Sequence, residues 1–203
     1  MSEAAQHWDG VYAAKDADHV SWYQREPAVS LRLVDRTPGS VVDVGAGAST
    51  LVDALLDAGR TDLTLVDLSA EALDVTRARL GTRAEAVTFV VGDVLAWSPG
   101  RTFDVWHDRA VFHFLTDAED QHRYAQTATR AVASGGALVM GTFAPDGPTH
   151  CSGLETARHD AASLETLFAD EFRLEHAESE THRTPWGAEQ HFTWVLLRRN
   201  ARA

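Results

Sequence analysis

The chain has 203 residues, 44% hydrophobic and 24% charged, which suits one domain with a full core and a small cap. Eighteen basic against 30 acidic groups give a net charge of −12, which argues against nonspecific affinity for nucleic acid or anionic membranes. No apolar run reaches the roughly 18 residues of a membrane span, no secretory signal opens the chain, and Cys151 as sole cysteine excludes an internal disulfide, so a cytoplasmic protein is expected.

Residues 2–14 have helical composition, with Trp8, Val11 and Tyr12 spaced to form one apolar stripe. Residues 16–19 read as a loop, followed by the aromatic pair Trp22-Tyr23. Pro27 opens a second helix to about Asp35, since proline is tolerated in a first turn. Pro38-Gly39 closes this helical leader, residues 1–39. Its aromatic residues pack the helices down, cover a site as a lid, or do both.

Residues 40–203 then alternate between strand and helix. A buried strand at 41–45 enters a turn containing Gly45 and Gly47, and a helix follows at 49–58 with Gly59 as its stop. The next strand is 63–67, and Ser69 caps a helix over 70–80. Strands at 87–91 and 103–107 come next; Asp108-Arg109 reads as loop, and a helix runs from about 117 to 133. Gly135-Gly136 turns into a strand from Ala137 to Phe143. A helix at about 160–170 precedes two long strands, 172–182 and 190–199, joined by a turn at Pro185-Trp186-Gly187. This order predicts a Rossmann-like α/β fold, a doubly wound and mostly parallel sheet with helices on both faces and an antiparallel final pair.

Ligands of such sheets bind beyond the carboxyl ends of the strands. Those ends carry Asp43, Gly45 and Gly47, then Asp67 with Leu68, then Asp93 with Val94, and finally His107-Asp108-Arg109. The glycines let the main chain approach a ligand without a Cβ in the way. Asp67 suits the two hydroxyls of a ribose, and Asp93 with the Val94 backbone suits an adenine edge. A dinucleotide fingerprint wants a third glycine where this chain has Thr50, and a carboxylate at Asp43 is unwelcome beside a pyrophosphate. That disfavours a nicotinamide-dependent oxidoreductase and suits a cofactor with an ammonium group.

These segments resemble the class I S-adenosylmethionine-dependent methyltransferases. Val-Val-Asp-Val-Gly-Ala-Gly (41–47) is similar to their first motif, Leu-Val-Asp (65–67) to the ribose-binding acid, and Val-Gly-Asp-Val (91–94) to the adenine-binding segment. Phe-Asp-Val-Trp-His-Asp (103–108) resembles the fourth-strand motif, and Gly-Gly-Ala-Leu-Val-Met (135–140) the turn into the fifth strand. The resemblance implies a seven-stranded sheet with its last strand antiparallel, S-adenosylmethionine as cofactor and S-adenosylhomocysteine as product. It places Asp43, Gly45 and Gly47 at the methionine end and Asp67, Leu68, Asp93 and Val94 at adenosine. Trp8, Asp9 and Tyr12 match a Trp-Asp-x-x-Tyr leader that closes over the cofactor, with Trp22 beside it and His107 facing the methyl group.

On the acceptor side, His107, Asp108, Arg109 and His113 are the catalytic candidates, because they are the densest polar group in an apolar stretch. Histidine exchanges a proton near neutral pH, and an arginine holds carboxylates. Residues 106–111 and 142–148 resemble segments of thiopurine and thiol methyltransferases, with His107 interposed, which implies a small soft nucleophile such as a thiol. Lysine-methylating relatives are the alternative; they carry Asp-Lys-Gly where this chain has Asp108-Arg109-Ala110. A loop from Pro145 to Gly153, containing His150 and Cys151, is expected across the site mouth. The ten histidines show no zinc-type spacing, so no metal site is expected. A non-catalytic cofactor-binding protein and the oligomeric state are left open.

Overall fold

The structure, a computed structural model, describes residues 2–14 and 16–201. The leader forms α1 (Glu3–Ala14), a single 3-10 turn (Ala17–His19) and α2 (Ala28–Val34). The main body runs β1 (Val41–Val44), α3 (Leu51–Asp57), β2 (Leu63–Asp67), α4 (Ala70–Leu80), β3 (Val87–Val91), β4 (Phe103–Arg109), α5 (Ala118–Ala131) and β5 (Val132–Phe143). A short ribbon of β6 (His150–Cys151) and β7 (Leu154–Glu155) follows, then α6 (Ala161–Phe168), β8 (Phe172–Arg183) and β9 (Glu189–Arg199).

Seven strands form one sheet in the order β3-β2-β1-β4-β5-β9-β8. The first five are mutually parallel, and β9 is antiparallel to both of its neighbours, so six strands point one way and one the other. Alternation of side chains along each strand builds two cores. Val41, Leu65, Val105, Val139 and Leu196 face α2, α3 and α4, while Val42, Val66, Trp106, Leu138 and Val195 face α5 and α6. Side-chain caps fix the helix starts: Ser69 accepts from the Ala72 amide at 3.1 Å, Asp117 from Glu119 at 2.7 Å and Asp160 from Ser163 at 2.8 Å. The strand order reverses at β1, which opens a cleft above the carboxyl ends of β2, β1 and β4.

Two sequence expectations change. Asp108 and Arg109 are not loop but the end of β4, because Asp108 pairs with Met140 and Arg109 with Gly141 of β5. The fifth strand begins at Val132 instead of Ala137; its pairing with β4 continues across a left-handed Gly135, where the β4–β5 register shifts.

Placing Asp108 in a strand turns its side chain toward the opposite core from His107. There the Trp106 indole N–H donates to the Tyr124 hydroxyl at 2.8 Å, and that hydroxyl donates to Asp108 Oδ2 at 2.5 Å. The Val111 amide donates to the other oxygen at 3.0 Å. Burial pushes the Asp108 carboxyl up to about 6 despite these donors. Tyr124→Phe leaves both Trp106 and Asp108 without their partner, and is expected to lower stability by about 1–3 kcal/mol. The readout is a lower denaturant midpoint at unchanged slope; an unchanged midpoint would show that this chain of bonds carries no net energy.

Candidate active site

The turn after β1 is held from three sides. Gly45 and Gly47 have φ of 60° and 51°, left-handed values that glycine adopts without strain. The Gly47 amide donates to Asp67 Oδ2 at 2.7 Å, and the Thr76 hydroxyl donates to the Gly47 carbonyl at 2.9 Å. The Ser69 amide donates to the second Asp67 oxygen at 2.8 Å. A Cβ added to Gly45 would lie 1.8 Å from Val111, and one on Gly47 would lie 2.3 Å from the Tyr12 hydroxyl. No side chain fits at either position without moving those neighbours. Asp67 is buried, which raises its carboxyl to about 6 even with two backbone donors on it.

Over this turn lies a cavity of about 280 Å³. Trp8, Tyr12, Trp22, Gly45, Asp67, Leu68, Asp93 and Val94 line it, together with Arg109, Val111, His113 and Phe114. A narrower cavity of about 40 Å³ adjoins it, and there Tyr12, Trp22 and Gly45 meet Ser30, Asp43, His107 and Arg109. The cofactor-site candidates from the sequence are thus drawn together at one cleft, except that Gly47 is covered by Tyr12 and lines neither cavity. Asp93 folds back on itself, accepting from the Leu95 amide at 2.9 Å.

The leader forms the outer wall. Trp8 meets Trp22 and Phe114 edge-on, with ring centroids 5.8 and 5.0 Å apart. The Ser69 hydroxyl donates to Asp9 Oδ1 at 2.7 Å, tying α1 to the start of α4. Burial and the nearby Asp67 carboxylate raise the Tyr12 phenol and keep it protonated. The ribbon contributes Cys151 and Leu154 to the opposite wall.

The four catalytic candidates separate. His107 is buried and engaged at both ring nitrogens, at 2.6 Å from Asp43 Oδ1 and 2.9 Å from Ser30 Oγ. It is therefore not free to serve as a base. Asp108 lies in the opposite core and lines neither cavity, a consequence of its strand position. Arg109 donates from Nη1 to the Trp22 carbonyl at 2.8 Å and stacks over the Phe192 ring at 4.8 Å, while Nε and Nη2 are buried with no hydrogen-bond partner among the described residues. Burial lowers its guanidinium to about 10, so it stays charged at neutral pH.

His113 sits in a 3-10 turn, Phe112–Phe114, and stacks on Phe143 at 4.1 Å. Among the described residues, neither ring nitrogen has a hydrogen-bond partner. Burial first, then the Arg109 charge, lowers it to about 3, so the imidazole is neutral at physiological pH. The chain reaches this position through Ala110, whose φ of 72° is unusual for a residue with a side chain. Sequence reasoning missed Ser30, Thr76 and Tyr124; each is a single polar residue in a helix, with no local pattern to set it apart. On the leader's surface, Asp16, Asp18 and His19 cluster in full exposure, apart from this cleft.

The lining suits an adenosine-bearing cofactor with an amino-acid tail: acceptor carboxylates at the end of β2 and after β3, a close-approach glycine turn and a third carboxylate, Asp43, within β1. Comparison with known proteins agrees. The family model described as a methyltransferase domain matches residues 41–136. An uncharacterized methyltransferase of Bacillus cytotoxicus is 25% identical over 97% of this chain and 94% of its own. Among solved structures, one concerned with conversion of a disulfide bond into a thioacetal group during echinomycin biosynthesis superposes with a TM-score of 0.79 at 21% identity, covering 98% of this chain and 94% of the other. The N-methyltransferase NodS from Bradyrhizobium japonicum, in complex with S-adenosyl-L-homocysteine, superposes at 0.74 with 16% identity, covering 95% and 98%. Residues 41–136 thus carry a methyltransferase domain, and the family match, the relatives and the shared fold together support a class I S-adenosylmethionine-dependent methyltransferase.

Asp67 sets an expected pH dependence. Its pKa lies near 6 in the free protein, and hydroxyls donating to it favour the ionised form. Affinity for S-adenosylhomocysteine should tighten as pH rises through about 6 and level off above it. Calorimetry between mildly acidic and neutral pH reads this, and Asp67→Asn should flatten the profile; the same slope in that variant would place the titration elsewhere.

Proposed function

We propose that the protein transfers a methyl group from S-adenosylmethionine to a small, soft nucleophile, a thiol or thiolate. The acceptor occupies the end of the larger cavity between Trp22, Arg109, His113, Phe114, Cys151 and Leu154. The observation that carries this reading is His113, a neutral imidazole with two unpartnered nitrogens among aromatic walls.

The cofactor supplies a methyl group already activated on a sulfonium. The chain's residues need only hold the acceptor's lone pair in line and keep water out. Trp8, Trp22 and Phe114 exclude water by packing against one another at the mouth. With a pKa depressed to about 3, His113 is a weak proton acceptor, so the acceptor enters as a thiolate and needs no base. The one N–H of the neutral ring would donate to the thiolate and turn a sulfur lone pair toward the methyl group, which leaves its sulfonium as S-adenosylhomocysteine forms. The positive field of Arg109 favours a thiolate and disfavours a cationic acceptor. The same field weighs against a lysine side chain as acceptor. Aromatic rings suit a polarizable sulfur atom.

His113→Ala is expected to lower kcat about ten- to a hundredfold, the cost of one buried hydrogen bond, while leaving affinity for S-adenosylhomocysteine within about twofold. The assay offers labelled cofactor with a panel of small thiols and amines. Transfer to amines alone would overturn the proposed acceptor, and unchanged turnover in His113→Ala would move the orienting group elsewhere.

A further inference from the structure

Asp43 is an acid inside the sheet, 4% exposed and flanked by Val42 and Val44. A buried carboxylate is costly unless donors hold it. Its register partner across the β1–β4 pair is His107, and the two side chains emerge on the same face. Asp43 Oδ1 lies 2.6 Å from His107 Nδ1. A carboxylate only accepts, so Nδ1 carries the proton. At the far side of the ring, Nε2 lies 2.9 Å from the Ser30 hydroxyl on α2. The Trp194 ring lies alongside, with centroids 6.1 Å apart and planes tilted by 34°. The imidazole is thus fixed from both nitrogens and along one flank, and it cannot swing away from the acid.

Ser30, Asp43 and His107 all border the narrow cavity that Tyr12, Trp22 and Gly45 also line. One oxygen of Asp43 is committed to the imidazole, which leaves the other for whatever enters that cavity. A compact cation is the ligand such a group receives. We propose that His107 is a positioning residue for the cofactor's amino-acid end. It holds the Asp43 side chain turned, so that the free oxygen receives the cofactor's ammonium group. Ser30 in turn holds the ring in the tautomer that donates to Asp43. Discrimination between nucleosides with and without the amino-acid tail then depends on a residue that acts through Asp43. The inference rests on the methionine end lying at Gly45.

The test compares calorimetric affinities for S-adenosylhomocysteine and for 5′-methylthioadenosine, which lacks the amino-acid tail. His107→Leu should weaken S-adenosylhomocysteine about tenfold or more and leave 5′-methylthioadenosine within about twofold. His107→Asn, whose amide N–H can replace Nδ1–H, should recover most of the loss. An equal loss for both ligands, or no loss for either, overturns the role of His107. A wild-type protein that binds both nucleosides equally well instead removes Asp43 from the ammonium group, and overturns the placement on which the inference rests.

Discussion

Asp67 joins the two turns that define the cleft. One oxygen takes the Gly47 amide at the end of β1 and the other takes the Ser69 amide at the end of β2. The glycine turn needs such a tie, since a left-handed glycine pair is among the least constrained of backbones. The tie comes at a cost, because burial opposes the ionised carboxylate and raises its pKa to about 6. A folded-state pKa above the unfolded one means that the folded chain binds more protons between pH 4 and 6, so stability falls as pH rises through that window. A ligand that donates hydroxyls to Asp67 relieves this opposition.

The leader turns that open cleft into an enclosed one. Tyr12 fills the space over Gly47, and Trp8 closes against Trp22 and Phe114. Asp9 ties the same helix to Ser69, the residue that also caps α4 and donates to Asp67. Leader, glycine turn and second strand end are consequently coupled through one serine. Tyr12, Trp22, Gly45 and Arg109 border both cavities, so the amino-acid end of a cofactor and an acceptor would meet across a shared wall. Excluding water there strengthens every electrostatic interaction that the chemistry uses.

Most strands were legible because a parallel sheet covered on both faces leaves near-continuous apolar runs, as in Val41–Val44 and Leu63–Asp67. The end of β4 was not, because polar Asp108 and Arg109 look like loop until β5 is seen pairing with them. That error hid a consequence of simple alternation: His107 and Asp108 must point to opposite faces and cannot act together. His107 and His113 look equivalent in the sequence, yet one is bonded at both nitrogens and the other at neither. The difference comes from Ser30 and Asp43, which are 77 and 64 residues away from His107 in the chain. No local pattern encodes contacts of that range. The glycine turn and the acids Asp43, Asp67 and Asp93 were readable because close approach and strand-end placement constrain residue type at each position.

The central claim is that a cofactor lies across the ends of β2, β1 and β4 beneath the leader. Amide hydrogen exchange of the wild-type protein with and without S-adenosylhomocysteine tests it most directly, since it needs no substitution and no known acceptor. The account predicts slowed exchange in residues 4–23, 43–50, 67–69 and 92–95, with the β8–β9 hairpin unchanged. Protection centred on that hairpin, or none in the leader and the glycine turn, would contradict it.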